Sequence, residues 1–159
     1  MMEPATGQWH EGCFRFPIRV YYEDTDVGGM VYHGRYVSFF ERVRTESLRG
    51  TPVDVAALFK LPEADGGPFT YVVRDLKVTY HRQATVGDVL IGGCMVTRVR
   101  AAAVEVFQWI DRDGERLADG PVTAAVIGAD GRPRRWRDDH RAVWQGWHED
   151  AIKAGHLPL

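Results

Sequence analysis

The second half of the chain contains four strand-like segments in close succession, and this arrangement is what most constrains the fold. The segments are long, are joined by short loops, and cover residues 69–81, 89–99, 103–111 and 115–127. The last two meet at Asp113-Gly114, a strong signal for a tight hairpin turn. A parallel connection needs a crossover of about a dozen or more residues, and no helical pattern of that length separates these segments. The sequence therefore predicts an antiparallel sheet.

A further strand and one long helix precede these segments. Residues 14–22 alternate apolar and polar side chains, the period of a strand with one buried face, and Pro17 indicates an edge or a bulge. From about Arg35, apolar and small residues recur at helical spacing: Tyr36, Phe39, Phe40, Val43 and Ser47. Gly50 and Pro52 end the helix. Because its apolar side spans about half of the circumference, we expect an α+β fold in which about five strands wrap around this helix.

Length and composition are those of one globular domain. The net charge of -2 lacks the basic excess typical of proteins whose main partner is nucleic acid. Cys13 and Cys94 stand far apart among apolar residues, without the spacing of a metal site or a disulfide framework. No segment approaches the ~20 apolar residues of a membrane span, and the N-terminus lacks the pattern of a secretory signal. These features predict a cytoplasmic protein.

The tail, residues 128–159, is expected to form a C-terminal helical extension beyond a main domain of residues 14–127. Asp138 or Asp139 can cap this helix, and apolar residues follow at helical spacing: Val143, Trp144, Trp147 and Ala151. The tail is rich in Trp and Arg, which can indicate nucleic-acid binding. However, four acidic residues balance the four arginines between residues 134 and 150. Packing or subunit contact is therefore the favoured role.

The segment that joins the first strand to the helix carries the clearest chemical signal. Asp26 is followed by Gly28 and Gly29, where the backbone can adopt positive φ or approach another group closely. The helix begins soon afterwards, so its first amide N–H groups, which have no partner within the helix, lie near Asp26. Such amides can polarise a carbonyl and stabilise the charge that develops on its oxygen. Asp26, ionised at neutral pH, can then act as nucleophile or general base.

Other polar residues of this segment have less defined roles. His33 can orient water, protonate a leaving group or fix the carboxylate, and the Tyr22 hydroxyl can join the same network. Asp24 is better explained by turn formation, because aspartates commonly bond their own backbone in turns. Two carboxylates and one histidine within a loop are a weak signal for a divalent metal. We therefore expect neither a metal nor a cofactor at this site.

These residues carry a resemblance to a known family. The pattern Y-x-x-T-D-x-x-G-x-V-Y-H-x-x-Y, followed by E-R-x-R-T-E in the helix, resembles the 4-hydroxybenzoyl-CoA thioesterase family, and more narrowly its Tol-Pal-associated acyl-CoA thioesterase branch. The similarity is dense over residues 20–49 and continues through residues 80–88 and the final hairpin. The resemblance implies the hot-dog fold, an antiparallel sheet wrapped around one long helix.

The resemblance also implies roles for individual residues. It assigns catalysis to Asp26, His33 and Tyr22, with the backbone amide of His33 polarising the substrate carbonyl. Substrate-binding candidates are Gly29, Val31 and Tyr36 near the loop, and Arg82, Arg98 and Arg100 for the coenzyme A phosphates. His33-Gly34 replaces the aromatic residue and proline of the 4-hydroxybenzoyl enzymes, which favours an aliphatic acyl group. Sites of this family form between two subunits, so we expect a homodimer or a homotetramer built as a dimer of dimers.

The resulting hypothesis is an enzyme that hydrolyses an acyl thioester, carried on coenzyme A or on acyl carrier protein, to a free acid and a thiol. The alternative from another class is a non-catalytic module of the same fold that binds acyl thioesters or associates with an envelope complex. A hydratase is a third idea, but the sequence shows no acid-histidine pair spaced for it.

Overall fold

The computed structural model describes residues 5–158, and a single antiparallel sheet dominates them. Its seven strands are β1 (Gln8–His10), β2 (Cys13–Arg19), β3 (Phe69–Leu76), β4 (Thr79–Tyr80), β5 (Val89–Val99), β6 (Ala103–Arg112) and β7 (Glu115–Gly128). Their spatial order is β1-β2-β5-β6-β7-β3, with β4 also paired to β7. Every strand pair is antiparallel, which confirms the prediction from the short connections.

Three α-helices accompany the sheet: α1 (His33–Leu48), α2 (Val55–Leu58) and α3 (Asp138–Lys153). Helix α1 packs on β2, β5 and β6, and Phe39, Phe40 and Val43 on its inner side are fully buried. A Cβ atom at Gly92 of β5 would lie 2.3 Å from Val43 Cγ2, so a glycine is required for this close approach. The helix begins two residues before the predicted start at Arg35.

The predicted strand at residues 69–81 is wrong in one respect, because it is divided into β3 and β4. The pairing of β3 with β7 shifts between Val73 and Asp75, and the chain leaves regular pairing before β4 begins. Gly120 of β7 faces this break, where an added Cβ atom would lie 2.0 Å from the Lys77 carbonyl oxygen. The alternation of apolar and polar residues continues across such a register shift, so the sequence pattern alone could not locate the break between the two strands.

A short N-terminal hairpin was not predicted. Strand β1 pairs with β2 through a turn at Glu11 and Gly12, whose φ angles are both positive, at 50° and 73°. The side chain of Trp9 holds this hairpin in place: its ring stacks on Trp147 at 4.2 Å, and its Nε1 donates to the carbonyl of Ser47 at 3.0 Å. Strand β1 has only three residues, too few to show a period, so its position depends on these tertiary contacts.

The tail forms the expected helix and packs on the sheet. Helix α3 contacts β5, and a ring nitrogen of His148 lies 3.0 Å from the carbonyl oxygen of Val96. Trp136 and Trp144 are buried beside Tyr71 of β3. Packing therefore accounts for these aromatic residues. Among residues 5–158, no helix is both long and apolar enough to cross a membrane.

Candidate active site

Asp26 stands at the start of a tight loop that its own backbone closes. The amide of Asp26 donates to the Met30 carbonyl at 2.9 Å, and the amide of Gly29 donates back to the Asp26 carbonyl at 3.0 Å. Gly29 has a φ of +74°, which explains the need for glycine at this position. Asp26 Oδ1 accepts a hydrogen bond of 2.8 Å from the Gly28 amide. The hydrogen bond to this one oxygen therefore orients the exposed Asp26 carboxylate.

Backbone contacts attach this loop to the rest of the fold. The amide of Val31 donates to the Ala84 carbonyl at 2.9 Å, and Met30 forms a bridge with Thr85. The amide of Ala84 in turn donates to the hydroxyl of the buried Tyr36 on α1, at 3.2 Å. Burial raises the pKa of the Tyr36 hydroxyl, so it remains protonated at neutral pH. These bonds fix the distance between the Asp26 loop and the first turn of α1.

The N-terminus of α1 has no side-chain cap. Tyr32 occupies the cap position without a side-chain hydrogen bond to the helix, and the first turn contains no acidic residue. The Arg35 amide donates to the Tyr32 carbonyl at 2.8 Å. The amides of His33 and Gly34 precede it, and an α-helix offers no carbonyl partner to amides at these positions. This end of α1 therefore presents N–H donors and the positive end of the helix dipole.

The loop and the helix end line one open cavity of about 370 Å³. Besides Asp26, the lining comprises Met30, Val31, His33, Tyr36, Tyr80, His81, Arg82 and Gln83. Tyr80 from β4 donates to the His33 carbonyl at 2.9 Å. The His33 ring lies 4.3 Å from the Tyr32 ring and 6.5 Å from the Tyr80 ring, measured between centroids. The structure thus brings together Asp26, His33, Val31, Tyr36 and Arg82, while Gly29 shapes the loop.

Asp24 has a structural role that extends beyond the predicted turn. Its side chain is fully buried, and Oδ2 accepts from the Tyr21 amide at 2.8 Å, the expected turn contact. Oδ1 accepts from Arg35 Nε at 3.0 Å. Since Arg35 belongs to the first turn of α1, this ion pair connects the loop to the helix N-terminus. The carboxylates of Asp24 and Asp26 therefore have different partners and do not form one site. No group of three or more metal-ligating side chains occurs in residues 5–158.

Three predicted site residues do not line this cavity. The Tyr22 side chain is 86% exposed. Arg98 lies at the far end of β5 and Arg100 just beyond it, about 30 Å from the end near the loop at roughly 3.4 Å per residue. Arg100 also pairs with Glu105 at 2.5 Å. The roles of these three residues stay predictions.

One acid-histidine pair at the cavity was not found from the sequence. His81 Nε2 lies 3.2 Å from Asp119 Oδ1, although 38 residues separate them. Arg116 Nη1 donates to the other oxygen of Asp119 at 3.1 Å. The pairing of β4 with β7 places Thr79 opposite Asp119 and so brings His81 close to that carboxylate. Only the register of the two strands could have revealed this pair.

Comparisons with known proteins agree with this architecture. The model of the thioesterase superfamily matches residues 28–118, a segment that contains His33 and begins two residues after Asp26. Acyl-CoA thioesterase YbgC from Haemophilus influenzae is 38% identical over 114 residues, covering 72% of this chain and 80% of that protein. Acyl-CoA thioester hydrolase YbgC from Escherichia coli O157:H7 is 42% identical over 97 residues, covering 61% of this chain and 68% of that protein.

A solved structure gives the same result. The probable thioesterase from Bartonella henselae superimposes with a TM-score of 0.73 at 35% identity, covering 77% of this chain and 98% of that one. The expected hot-dog fold is thereby confirmed, and so is the resemblance identified from the sequence. The chain belongs to the thioesterase superfamily.

Proposed function

We propose that this chain hydrolyses acyl-CoA thioesters at the cavity that Asp26 shares with the N-terminus of α1. One observation carries the proposal: an oriented, exposed carboxylate and an uncapped helix end face the same open space. Hydrolysis requires a group that attacks or activates water, and donors that stabilise the oxyanion; these two elements supply both. The names of the two YbgC relatives support coenzyme A as the thiol carrier.

In the proposed reaction, the thioester carbonyl oxygen accepts hydrogen bonds from the free amides of His33 and Gly34. Asp26 either removes a proton from the attacking water, or attacks the carbonyl carbon itself and forms a mixed anhydride that water then hydrolyses to the free acid and the regenerated carboxylate. Negative charge on the carbonyl oxygen then grows beside the positive end of the helix dipole. When the carbonyl re-forms, the carbon–sulfur bond breaks and coenzyme A leaves as a thiolate. Because a thiolate is a good leaving group, the protein needs mainly to position and polarise the substrate.

The neighbouring residues would then have distinct tasks. Tyr80 fixes the first turn of α1 by donating to the His33 carbonyl, a bond that does not involve the His33 amide. His81, held by Asp119, and Arg82 provide positive or hydrogen-bonding groups at the cavity rim for the polar part of coenzyme A. Arg82 Nε currently donates to Glu115 at 3.1 Å, so a phosphate would compete with that carboxylate.

A second subunit is part of the proposal. Apolar and aromatic side chains around the loop are strongly exposed in a single chain: Tyr21, Tyr22, Val27 and Tyr32. A contiguous exposed set of this kind is typical of an interface. A partner seated there would cover Tyr22 and could contribute Arg98 and Arg100 to the coenzyme site. We propose a homodimer, or a homotetramer formed from two dimers, that functions in the cytoplasm with an aliphatic acyl substrate.

Thiol release from acyl-CoAs of increasing chain length tests the proposed activity. The wild-type chain is expected to release coenzyme A from at least one of them, and Asp26→Asn is expected to lower kcat by about 10²–10⁴-fold, the usual contribution of a positioned base. Asp113→Asn is a matched control, because Asp113 occupies an exposed hairpin turn with a φ of 52° that asparagine also adopts. Parallel assays with acyl carrier protein thioesters identify the carrier.

The outcome also separates the enzyme from the non-catalytic alternative. A binding module would retain affinity for acyl-CoA but release no thiol from any chain length. Equal turnover by the wild type and Asp26→Asn would remove Asp26 from the mechanism, even if the chain proved to be a thioesterase.

A further inference from the structure

A second cavity lies at the other end of α1 and has no lining residue in common with the Asp26 cavity. Its volume is about 230 Å³, and it is enclosed by the C-terminal half of α1, α2, α3 and the inner face of the sheet. Arg44, which lines it, follows His33 by eleven residues, or about 16 Å along the helix at 1.5 Å per residue. The cavity is therefore separate from the site proposed for hydrolysis.

Arg44 brings a positive charge to this cavity and forms no direct ion pair within the described residues. Its Nη1 donates to Oε1 of Gln108 at 2.5 Å, but no carboxylate oxygen among the described residues lies within 4.0 Å of its guanidinium. Burial lowers the pKa of the Arg44 guanidinium, although an arginine stays charged in proteins. A partly buried charge of this kind is costly unless a partner of opposite charge is present.

Glu41 and Cys94 are the lining residues whose charge acts on Arg44, and neither forms an ion pair with it. Glu41 lies at the exposed side of α1 and accepts a hydrogen bond from Thr45 at 2.6 Å. Burial raises the pKa of the Cys94 thiol to about 12, so this thiol is uncharged at neutral pH. An anion entering the cavity would therefore meet a guanidinium without an ion-pair partner, with the Glu41 carboxylate at the exposed side of the helix.

A second polar group in the lining has no hydrogen-bond acceptor. Trp144 on α3 is 4% exposed, and within residues 5–158 its Nε1 has no hydrogen-bond partner. Buried N–H groups without an acceptor are rare in proteins. Gln108 Nε2, buried beside Arg44, is likewise without one in the described part of the chain. Trp144 in the lining and Gln108 behind Arg44 thus each hold a buried N–H donor without an acceptor.

The remaining walls are apolar and suit an alkyl chain. Leu48, Val96, Val104, Val106 and Ala124 form much of the interior. At roughly 30 Å³ for a group the size of a water molecule, the cavity holds about eight such groups, the number of non-hydrogen atoms in hexanoate. Phe59 also lines the cavity and is exposed, so a somewhat longer chain could extend past it.

We propose that this second cavity binds a free aliphatic carboxylate of about six to eight carbons, with the carboxylate on Arg44 and the chain against the apolar walls. A planar guanidinium matches a carboxylate with two parallel hydrogen bonds. The proposal is independent of the Asp26 chemistry. The proposed ligand, however, belongs to the same class of molecule that hydrolysis of an acyl thioester would release. The N-terminal end of α1 would then bind the substrate, and the C-terminal end would bind the acid product.

Calorimetric titration of the full chain with hexanoate, in the absence of any thioester, tests the site. Hexanoate is expected to bind at least tenfold more tightly than 1-hexanol, because only the acid can pair with Arg44. Arg44→Met keeps an unbranched, flexible side chain and removes the charge; it is expected to weaken hexanoate binding at least tenfold. Arg42→Met, on the exposed side of the same helix, is the matched control and is expected to bind as the wild type does.

Two further measurements keep the test decisive. Ala124→Leu retains Arg44 but fills the cavity, so it is expected to abolish hexanoate binding. This variant tests the site independently of any folding defect in Arg44→Met. Nuclear Overhauser contacts from bound hexanoate are expected to the methyl groups of Leu48 and Val104. Equal affinity for hexanoate and hexanol, unchanged affinity in both Arg44→Met and Ala124→Leu, or contacts to Val31 and Tyr80 instead would each overturn the proposal.

Discussion

Two aspartates separated by one residue have opposite environments, which illustrates how side-chain direction decides a role. Asp24 is fully buried and paired with Arg35, whereas Asp26 is exposed and retains only a turn contact with Gly28. Their chemistry is identical, so the difference lies in the surroundings that the fold provides. The environment makes Asp24 a structural anion and leaves Asp26 available to a substrate.

Loss of the Asp24 charge should destabilise the fold by about 1–3 kcal/mol, since Asp24→Asn leaves the Arg35 guanidinium with a poorer partner. Solvent weakens this ion pair only in part, because the Arg35 side chain is 30% exposed. Urea denaturation of Asp24→Asn beside Asp113→Asn measures the effect. Since the ion pair joins the loop to α1, kcat should also fall in the folded variant. A change in unfolding free energy below 0.5 kcal/mol would show that the pair is not structurally important.

Among the elements, β3 is the one that a second chain could extend. It ends the sheet order, and Val72, Val73 and Leu76 on it are exposed. The opposite edge is different, because β1 has only three residues. An eight-residue edge strand with exposed apolar side chains is a template for pairing with another strand. We expect β3 to form part of the subunit contact.

Val72→Lys should shift the protein toward the monomer, because lysine on an edge strand opposes pairing and two copies would repel across a symmetric contact. The single chain should tolerate the change, since the position is exposed. Light scattering after size-exclusion chromatography gives the mass, and thiol release on the same fractions gives the activity. Val86→Lys, in an exposed loop, is the control. A wild-type chain that is monomeric and fully active would contradict the inter-subunit site.

For the molecule as a whole, the C-terminal helix completes an aromatic layer over the sheet. Trp9 and Trp147 stack, and Trp136 and Trp144 pack beside Tyr71. His140 begins this layer, with its ring 6.0 Å from Phe69 and only 2% of its surface exposed. The rich Trp content of the tail thus reflects burial, as the charge balance of its sequence suggested.

The stability of the whole fold should depend on the protonation of His140. Burial lowers the pKa of this histidine, an effect that Asp139 opposes and Arg137 reinforces. Below the ordinary value of 6.5 the unfolded chain binds a proton that the folded chain does not, so stability is fully present above pH 6.5 and declines as the pH falls toward the lowered pKa. Thermal unfolding between pH 7.5 and 5.5 should show a smaller loss for His140→Leu than for the wild type. An identical slope in both proteins would exclude His140 as the source.

The sequence by itself determined the features that depend on nearby residues. Period-two segments predicted the main strands, short connections predicted their antiparallel pairing, and helical spacing predicted α1 and α3. The candidate catalytic segment was also visible, because Asp26 and His33 are close along the chain. Local patterns succeed in these cases because backbone geometry links neighbouring residues directly.

The tertiary structure alone decided the contacts between distant segments. The His81–Asp119 pair depends on the register of β4 and β7, and Arg44 meets Gln108 although 64 residues separate them. Strand β1 is too short to show a period and is held by Trp9, while the cavity at Arg44 exists only once α3 has packed. The physical reason is the same throughout: which side chains meet across a sheet is fixed by pairing register and packing, which spacing along the chain does not specify.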